Sequence, residues 1–300
     1  MRNHILITGG DARFFGFLSA ALASLRAQPE LAASDIGVID QGLEPVQVAE
    51  LAALGCRIVK PEWTLPVPEE KRLLRNIGLV ARTALRDYFP GYRLYLWFDA
   101  DAWVQTPEFA TAFLAGAKEK GAAVALEEGV GYRRPFVDLK WWAGNMVSVY
   151  GLRHGVPLSL RTSVNIGLLC LKDTAPHWDA WIRAYTRALE RTGKVNLDQH
   201  AFLAGLHLER LPTAFLPARY NWLPHLSCPT WDAGSGLLCE PLAPYRPLSV
   251  LHLAGPNKER PYRIPVFGGG SIESPLTYAA VKHLYPGASQ ATPATLALQR

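Results

Sequence analysis

Apolar and polar positions along this chain fall into short continuous runs that alternate with helical stripes. Residues 4–8 make an apolar run that ends in Gly9 and Gly10, and residues 17–26 carry an apolar stripe at helical spacing. A second apolar run at 36–40 leads into the turn Gln41-Gly42-Leu43-Glu44-Pro45 and a helix over 46–54. A third strand at 57–59 precedes a longer helix over 71–88, followed by the apolar strand Tyr95-Leu96-Trp97-Phe98. Strands that alternate with helices predict a parallel α/β sheet, with ligands at the carboxyl ends of its strands.

The second half is more mixed. A helix is expected over 108–118 with Pro107 at its first position, then strands at 122–126 and 162–171 and helices at 178–191 and 197–206. Between 211 and 247 the chain carries seven prolines interspersed with Tyr220, Trp222, Trp231 and Tyr245. This predicts irregular structure packed on a surface, because the aromatics must be covered. A final strand at 248–253 and a terminal helix at 276–284 complete the pattern, with no internal repeat.

The 300 residues are 49% hydrophobic and only 19% charged, enough to bury a large core. The net charge of +5 suits an anionic ligand, but the basic residues are scattered. That weighs against nucleic acid and favours a small phosphate-bearing partner. Cys56, Cys170, Cys228 and Cys239 have no metal-binding spacing. The apolar run near the N-terminus is too short for a signal peptide or membrane span, so a cytoplasmic chain is expected.

The candidate chemistry begins where the strand 95–98 meets Asp99-Ala100-Asp101. Alternate side chains of an extended chain share a face, so both carboxylates are expected to point the same way. At ~5 Å and an effective dielectric of ~20, their repulsion is about 3 kcal/mol. A divalent cation makes such a pair favourable, and oxygen ligands suit Mg²⁺ or Mn²⁺. The bland alternative is that Asp99 ends a strand and Asp101 caps the next turn. Further on, His252 closes the strand 248–253 and precedes Ala254-Gly255-Pro256-Asn257-Lys258. A neutral imidazole there could supply a third ligand and favour Mn²⁺. Gly255 permits a tight turn, and Lys258 could place positive charge on a diphosphate. A strand-end histidine satisfied by backbone is the plainer reading.

Two other motifs fail on their neighbours. Ile7-Thr8-Gly9-Gly10 hints at a dinucleotide-binding turn, but Asp11, Ala12, Arg13 and Phe14 stand where later glycines are needed. An Asp-x-Asp phosphatase of the haloacid-dehalogenase type has Thr or Val two residues after the second Asp, where this chain has Trp103.

Together these residues resemble the retaining nucleotide-sugar glycosyltransferases of family 8, which have the GT-A fold. That family includes the glycogenins and the bacterial lipopolysaccharide galactosyl- and glucosyltransferases. The likeness runs through most of 4–262. Val38-Ile39-Asp40-Gln41-Gly42-Leu43 looks like the second strand and its turn. Arg82 is similar to the arginine that contacts the donor, and Asp99 and Asp101 to the metal-binding pair. Val164-Asn165-Ile166-Gly167 resembles the Asn-Ser-Gly element, and Asp198-Gln199 the Asp-Gln element. His252, Gly255 and Lys258 match the His-x-x-Gly-x-x-Lys run. Ile166 replaces the usual serine, His200 stands where a second acid often follows, and Glu259-Arg260-Pro261-Tyr262 replaces a direct Pro-Trp.

The resemblance implies an α/β GT-A fold, Rossmann-like, with a mixed, mainly parallel sheet flanked by helices. It implies a transferase domain over 1–262 and a C-terminal tail with a short helix over 263–300. Mn²⁺, or Mg²⁺, would be held by Asp99, Asp101 and His252. A UDP-sugar donor would be contacted by Arg82, Asp99, Gly255 and Lys258, with Asn165, Asp198 and Gln199 at the reacting sugar. The implied reaction moves a hexose to a hydroxyl acceptor, saccharide or lipid-linked, with retention of configuration. Local readings compete: Asn165 as a strand-edge hydrogen bonder and Asp198 as a helix N-cap.

The acceptor side is less legible. Trp141-Trp142 offers either core packing or a surface for stacking a sugar ring. Glu127 and Glu128 read as a solvated turn that could touch a substrate. The tail at 287–300 lacks the basic and aromatic cluster of a surface anchor, and peripheral membrane contact stays open. Two other classes remain: a nucleotidyltransferase that makes nucleotide sugars, and a carbohydrate-binding protein without turnover.

Overall fold

The computed structural model describes residues 2–255 and 257–284. The strands up to residue 216 are β1 (Arg2–Gly10), β2 (Ile36–Asp40), β3 (Arg57–Val59), β4 (Tyr92–Phe98), β5 (Ala102–Val104), β6 (Ala122–Leu126), β7 (Val164–Lys172) and β8 (Thr213–Leu216). Seven of these form one sheet in the order β3-β2-β1-β4-β7-β6-β8, while β5 stands apart. Neighbouring strands run parallel from β3 to β4 and again between β6 and β8. β7 runs antiparallel to both β4 and β6 and makes the sheet mixed.

Both faces of the sheet are covered, which is why its strands read as unbroken apolar runs. Ile5, Ile7, Tyr95 and Trp97 enter one core with α3 (Leu74–Ala81), α6 (Phe136–Ser159), α7 (His177–Thr192) and α8 (Asp198–Leu208). Leu6, Leu94, Leu96 and Phe98 enter the opposite core with α1 (Phe15–Arg26), α2 (Pro45–Ala53) and α5 (Glu108–Lys120). The period-two exchange between cores follows directly from strand geometry.

Several elements depart from the sequence pattern. The expected helix over 71–88 is broken into a 3₁₀ turn at Glu69–Lys71, then α3, a second 3₁₀ turn at Arg82–Ala84, and α4 (Leu85–Tyr88). Leu73 is extended, and the Thr83 hydroxyl donates to the Val80 carbonyl at 2.8 Å, a local bond that bends helices. The expected last strand is shorter, β11 (Val250–His252), and it is not last. A hairpin of β12 (Pro261–Pro265) and β13 (Ser271–Pro275) follows, before α9 (Tyr278–Lys282). The proline-rich stretch contains β8 and a small hairpin of β9 (Thr230–Asp232) and β10 (Leu237–Cys239). Its Trp222 and Trp231 join Trp103, Leu251 and Ile264 in a third core. The four cysteines are free. The tail segment 287–300 lies outside the described residues.

α6 was not evident from periodicity because it is two helical segments. Gly151, at φ 73° and ψ 174°, reverses the chain between them. A Cβ on Gly155 would lie 2.5 Å from the Met146 carbonyl oxygen, so a side chain there would block the fold-back.

Candidate metal and nucleotide site

β4 stops at Phe98, and Asp99 to Asp101 form a tight turn in which the Ala102 amide donates to the Asp99 carbonyl at 3.0 Å. The carboxylates therefore meet through a turn, and the alternation expected of an extended strand is not the cause. After the turn the chain re-enters extended structure as β5, which pairs antiparallel with β11 and sets His252 opposite Ala102. The Leu253 amide donates to the Asp101 carbonyl at 2.9 Å and fixes that register. His252 Nε2 consequently sits 3.6 Å from Asp99 Oδ2 and 3.4 Å from Asp101 Oδ1. Ligand atoms of Asp99, Asp101 and His252 all lie within 4.8 Å of one another. Two carboxylates and an imidazole at this spacing fit a divalent ion that accepts oxygen and nitrogen.

The imidazole is aimed by partners on other strands. His252 Nδ1 lies 3.1 Å from Asn221 Oδ1, and Asn221 Nδ2 donates to Asn165 Oδ1 at 2.9 Å. With Nδ1 donating to Asn221, the Nε2 edge is the one turned toward the carboxylates, as ligating histidines require. Gly167 makes this possible. A Cβ there would lie 2.7 Å from His252 Nδ1 and overlap the ring.

Arg82 is buried and pairs with Asp198, with its Nη1 3.5 Å from Asp99 Oδ1 and donating to the Ile166 carbonyl at 3.2 Å. Burial disfavours its charge, but Asp198 and Asp99 raise its pKa above the ordinary value. Trp97 Nε1 donates to Asp99 Oδ1 at 2.7 Å. Lys258 pairs with Asp101 and donates to the Leu253 carbonyl at 3.0 Å. Burial pushes the Asp101 carboxyl upward, yet His252 and Lys258 hold it well below the usual carboxylate range.

Beside this cluster lies a cleft of about 250 Å³ at the carboxyl ends of β1, β2 and β4. Gly9, Gly10, Gln41, Arg82, Asp101 and Lys258 are among its walls. Gly255 takes φ 104°, the left-handed turn its type suggested, and is exposed on the loop before Lys258.

Two of the remaining expected site residues, Asn165 and Gln199, gather around Glu127. Its carboxylate accepts from Asn165 Nδ2 at 3.0 Å, Gln199 Nε2 at 3.3 Å, Ser163 Oγ at 2.7 Å and from Arg134. The solvated turn expected for Glu127 is instead the centre of a polar network. Asp198 is the first residue of α8, after Leu197 at the cap position, and its carboxylate is engaged by Arg82. Trp141 and Trp142 pack on His200, with ring centroids 4.7 and 4.1 Å away; Trp142 is buried, while Trp141 keeps an exposed face. Sequence reasoning missed Asn221 altogether. Nothing in the chain near Asn221 marks it, since its partners lie 31 and 56 positions away.

No protein-family profile matches this chain, and no curated protein sequence matches it either. Solved structures do. A galactosyltransferase, LgtC, in complex with donor and acceptor sugar analogues is 17% identical over 84% of this chain and 87% of its own, with a TM-score of 0.54. Mouse xyloside xylosyltransferase 1 is 13% identical over 84% of this chain and 97% of its own, with a TM-score of 0.52. The glycosyltransferase GlyE of Streptococcus pneumoniae TIGR4 is 14% identical over 96% of this chain and 62% of its own, with a TM-score of 0.54. At these identities the likeness is one of architecture: the chain has the GT-A fold of these glycosyltransferases, as its motifs implied.

Proposed function

We propose that this chain is a metal-dependent glycosyltransferase that moves a hexose from a UDP-sugar to a hydroxyl acceptor with retention of configuration. The observation that carries the reading is the Asp99, Asp101 and His252 group beside a cleft at the strand ends. Mn²⁺ suits the mixed donor set better than Mg²⁺. When bound, the ion supplies positive charge against the diphosphate as the nucleotide departs.

The chain's own residues do the rest. Asp99, Asp101 and His252 would hold the ion, and Asn221 fixes the imidazole edge. Lys258 shifts from Asp101 to the diphosphate, and Arg82 adds a second fixed positive charge beside Asp99. Glu127 holds the Gln199 and Asn165 amides in place for the sugar. An amide is a poor nucleophile, so attack comes from the acceptor hydroxyl on the leaving-group face, with a donor phosphate oxygen taking its proton. We place the transferase domain at 1–262, with 263–300 as a C-terminal extension, in a cytoplasmic protein. The acceptor is a saccharide or a lipid-linked glycan.

The test is a calorimetric titration of UDP into the protein with Mn²⁺ and with EDTA. Strong binding with Mn²⁺ alone is expected. Equal binding under both conditions sinks the metal-dependent mechanism, and no binding under either sinks the UDP-sugar assignment. Pyrophosphate release from nucleoside triphosphate and sugar phosphate would identify a nucleotidyltransferase instead.

A further inference from the structure

The two segments of α6 present a surface that the core does not use. Phe136 and Leu160 are about as exposed as free side chains, at 80% and 81%, and Leu152 is 74% exposed. Val137, Leu139 and Val156 are exposed as well. Leu152, Val156 and Leu160 recur every four residues, so they form one stripe along the second segment. The chain entering α6 is tied to the chain leaving it. Arg134 bonds Ser163 as well as Glu127, and Thr162 Oγ1 donates to Glu128 at 3.2 Å. Phe136 and Leu160 therefore emerge beside the same junction.

Charge selects the occupant. Arg133, Lys140, Arg153 and Arg161 are exposed in this region, against the exposed acids Asp138 and Glu128. A second copy would bring the same basic excess against itself. An anionic surface would be attracted to it, and exposed apolar side chains interspersed along the chain with Arg and Lys are suited to entering a lipid interface. Trp141 keeps nearly half of its surface exposed on the same segment, and indole rings favour that depth. Among the described residues no helix is long and apolar enough to cross a membrane, so contact would be peripheral.

We propose that α6 docks this protein on an anionic lipid surface, where it meets a lipid-linked acceptor. The acceptor part rests on the transferase reading; the docking does not. The geometry joins the two. Arg134, two residues before Phe136, holds Glu127, which in turn holds Gln199 and Asn165. A membrane lying against α6 brings a lipid-borne hydroxyl to the Glu127 and Gln199 side of the site.

Co-sedimentation with phosphatidylcholine vesicles, with and without phosphatidylglycerol, tests the proposal. The full chain should bind the anionic vesicles and largely ignore the neutral ones. The double substitution Phe136→Ser with Leu160→Ser should weaken that binding at least about tenfold. Its circular dichroism and its UDP titration with Mn²⁺ should be unchanged. Indifference of the native protein to anionic vesicles overturns the docking, and so does native-like binding by the double variant. A native dimer that the same substitutions dissociate would assign the face to a second copy and also overturn it. Vesicle binding without UDP binding would leave the docking standing and sink the UDP-sugar assignment.

Discussion

Gly167→Ala is the substitution that most directly tests how the site is built. A methyl group on this residue would lie 2.7 Å from His252 Nδ1 and 2.8 Å from Asn165 Oδ1, and would overlap the ring edge. Ordinary contact needs about 3.5 Å or more, so the ring has to retreat by roughly 1 Å. It cannot swing freely, because Asn221 holds Nδ1 and the residue is buried. Metal bonds tolerate only about 0.2 Å of error in ligand position, so Nε2 would be lost as a ligand of the proposed ion. Losing an outer-shell partner alone costs about tenfold to a hundredfold in affinity, so losing the ligand atom costs at least that much. Mn²⁺ titration followed by electron paramagnetic resonance should show that loss, with the circular dichroism spectrum preserved. Native Mn²⁺ affinity in a folded Gly167→Ala protein would refute the third-ligand assignment and the argument for the glycine together.

Further outcomes follow from the same geometry. Asp101→Asn should abolish Mn²⁺-dependent turnover while the melting curve stays cooperative; turnover at the native rate would remove Asp101 from the metal site. Glu127→Gln should lower kcat about tenfold to a hundredfold and leave the donor KM nearly unchanged, since it loosens Gln199 and Asn165 without touching the cleft wall; an unchanged kcat in steady-state assays would count against it. Burial works against charge on His252, but Asp101 and Asp99 raise its pKa above the ordinary value. A proton must therefore leave as the ion binds, and Mn²⁺ affinity should rise about tenfold per pH unit below that pKa, then level off; flat affinity from pH 5 upward would contradict this. His200 is buried with no partner at either ring nitrogen, and burial pushes it down to about 3. The unfolded chain binds a proton that the folded one refuses, so stability falls as pH drops from about 6.5 toward 3. The loss is about 2 kcal/mol by pH 5. Urea unfolding of His200→Phe should lack this part of the pH dependence.

The fold was legible where one residue type dominates a local decision. The unbroken apolar runs of β1, β2 and β4 could be read because both faces of the sheet are covered. The metal-binding candidates could be read because short-range order placed two acids at a strand end and a histidine at another. Their convergence could not, because it depends on a turn followed by pairing of strands about 150 positions apart. The break in the helix at 71–88 was hidden because an extended Leu73 and a Thr83 back-bond leave the apolar stripe intact. Glu127 and Asn221 carry no local mark of their roles. Each acts through partners that only the tertiary fold brings near, and a carboxylate after a strand looks the same whether water or arginine meets it.

The contact between Lys258 and Asp101 bears on how the protein would respond to a chelator. The acidic pair has resident counter-ions without a divalent ion, since Lys258 pairs with Asp101 and Arg82 is shared between Asp198 and Asp99. If the proposed ion binds here, its uptake would exchange one cation for another, with Lys258 free to turn toward the phosphates of a nucleotide. The affinity measured is the difference between two favourable pairings, and it couples ion and nucleotide: whatever draws Lys258 away strengthens the hold on the metal. The same exchange predicts a protein whose folding is indifferent to EDTA, with an activity that is not.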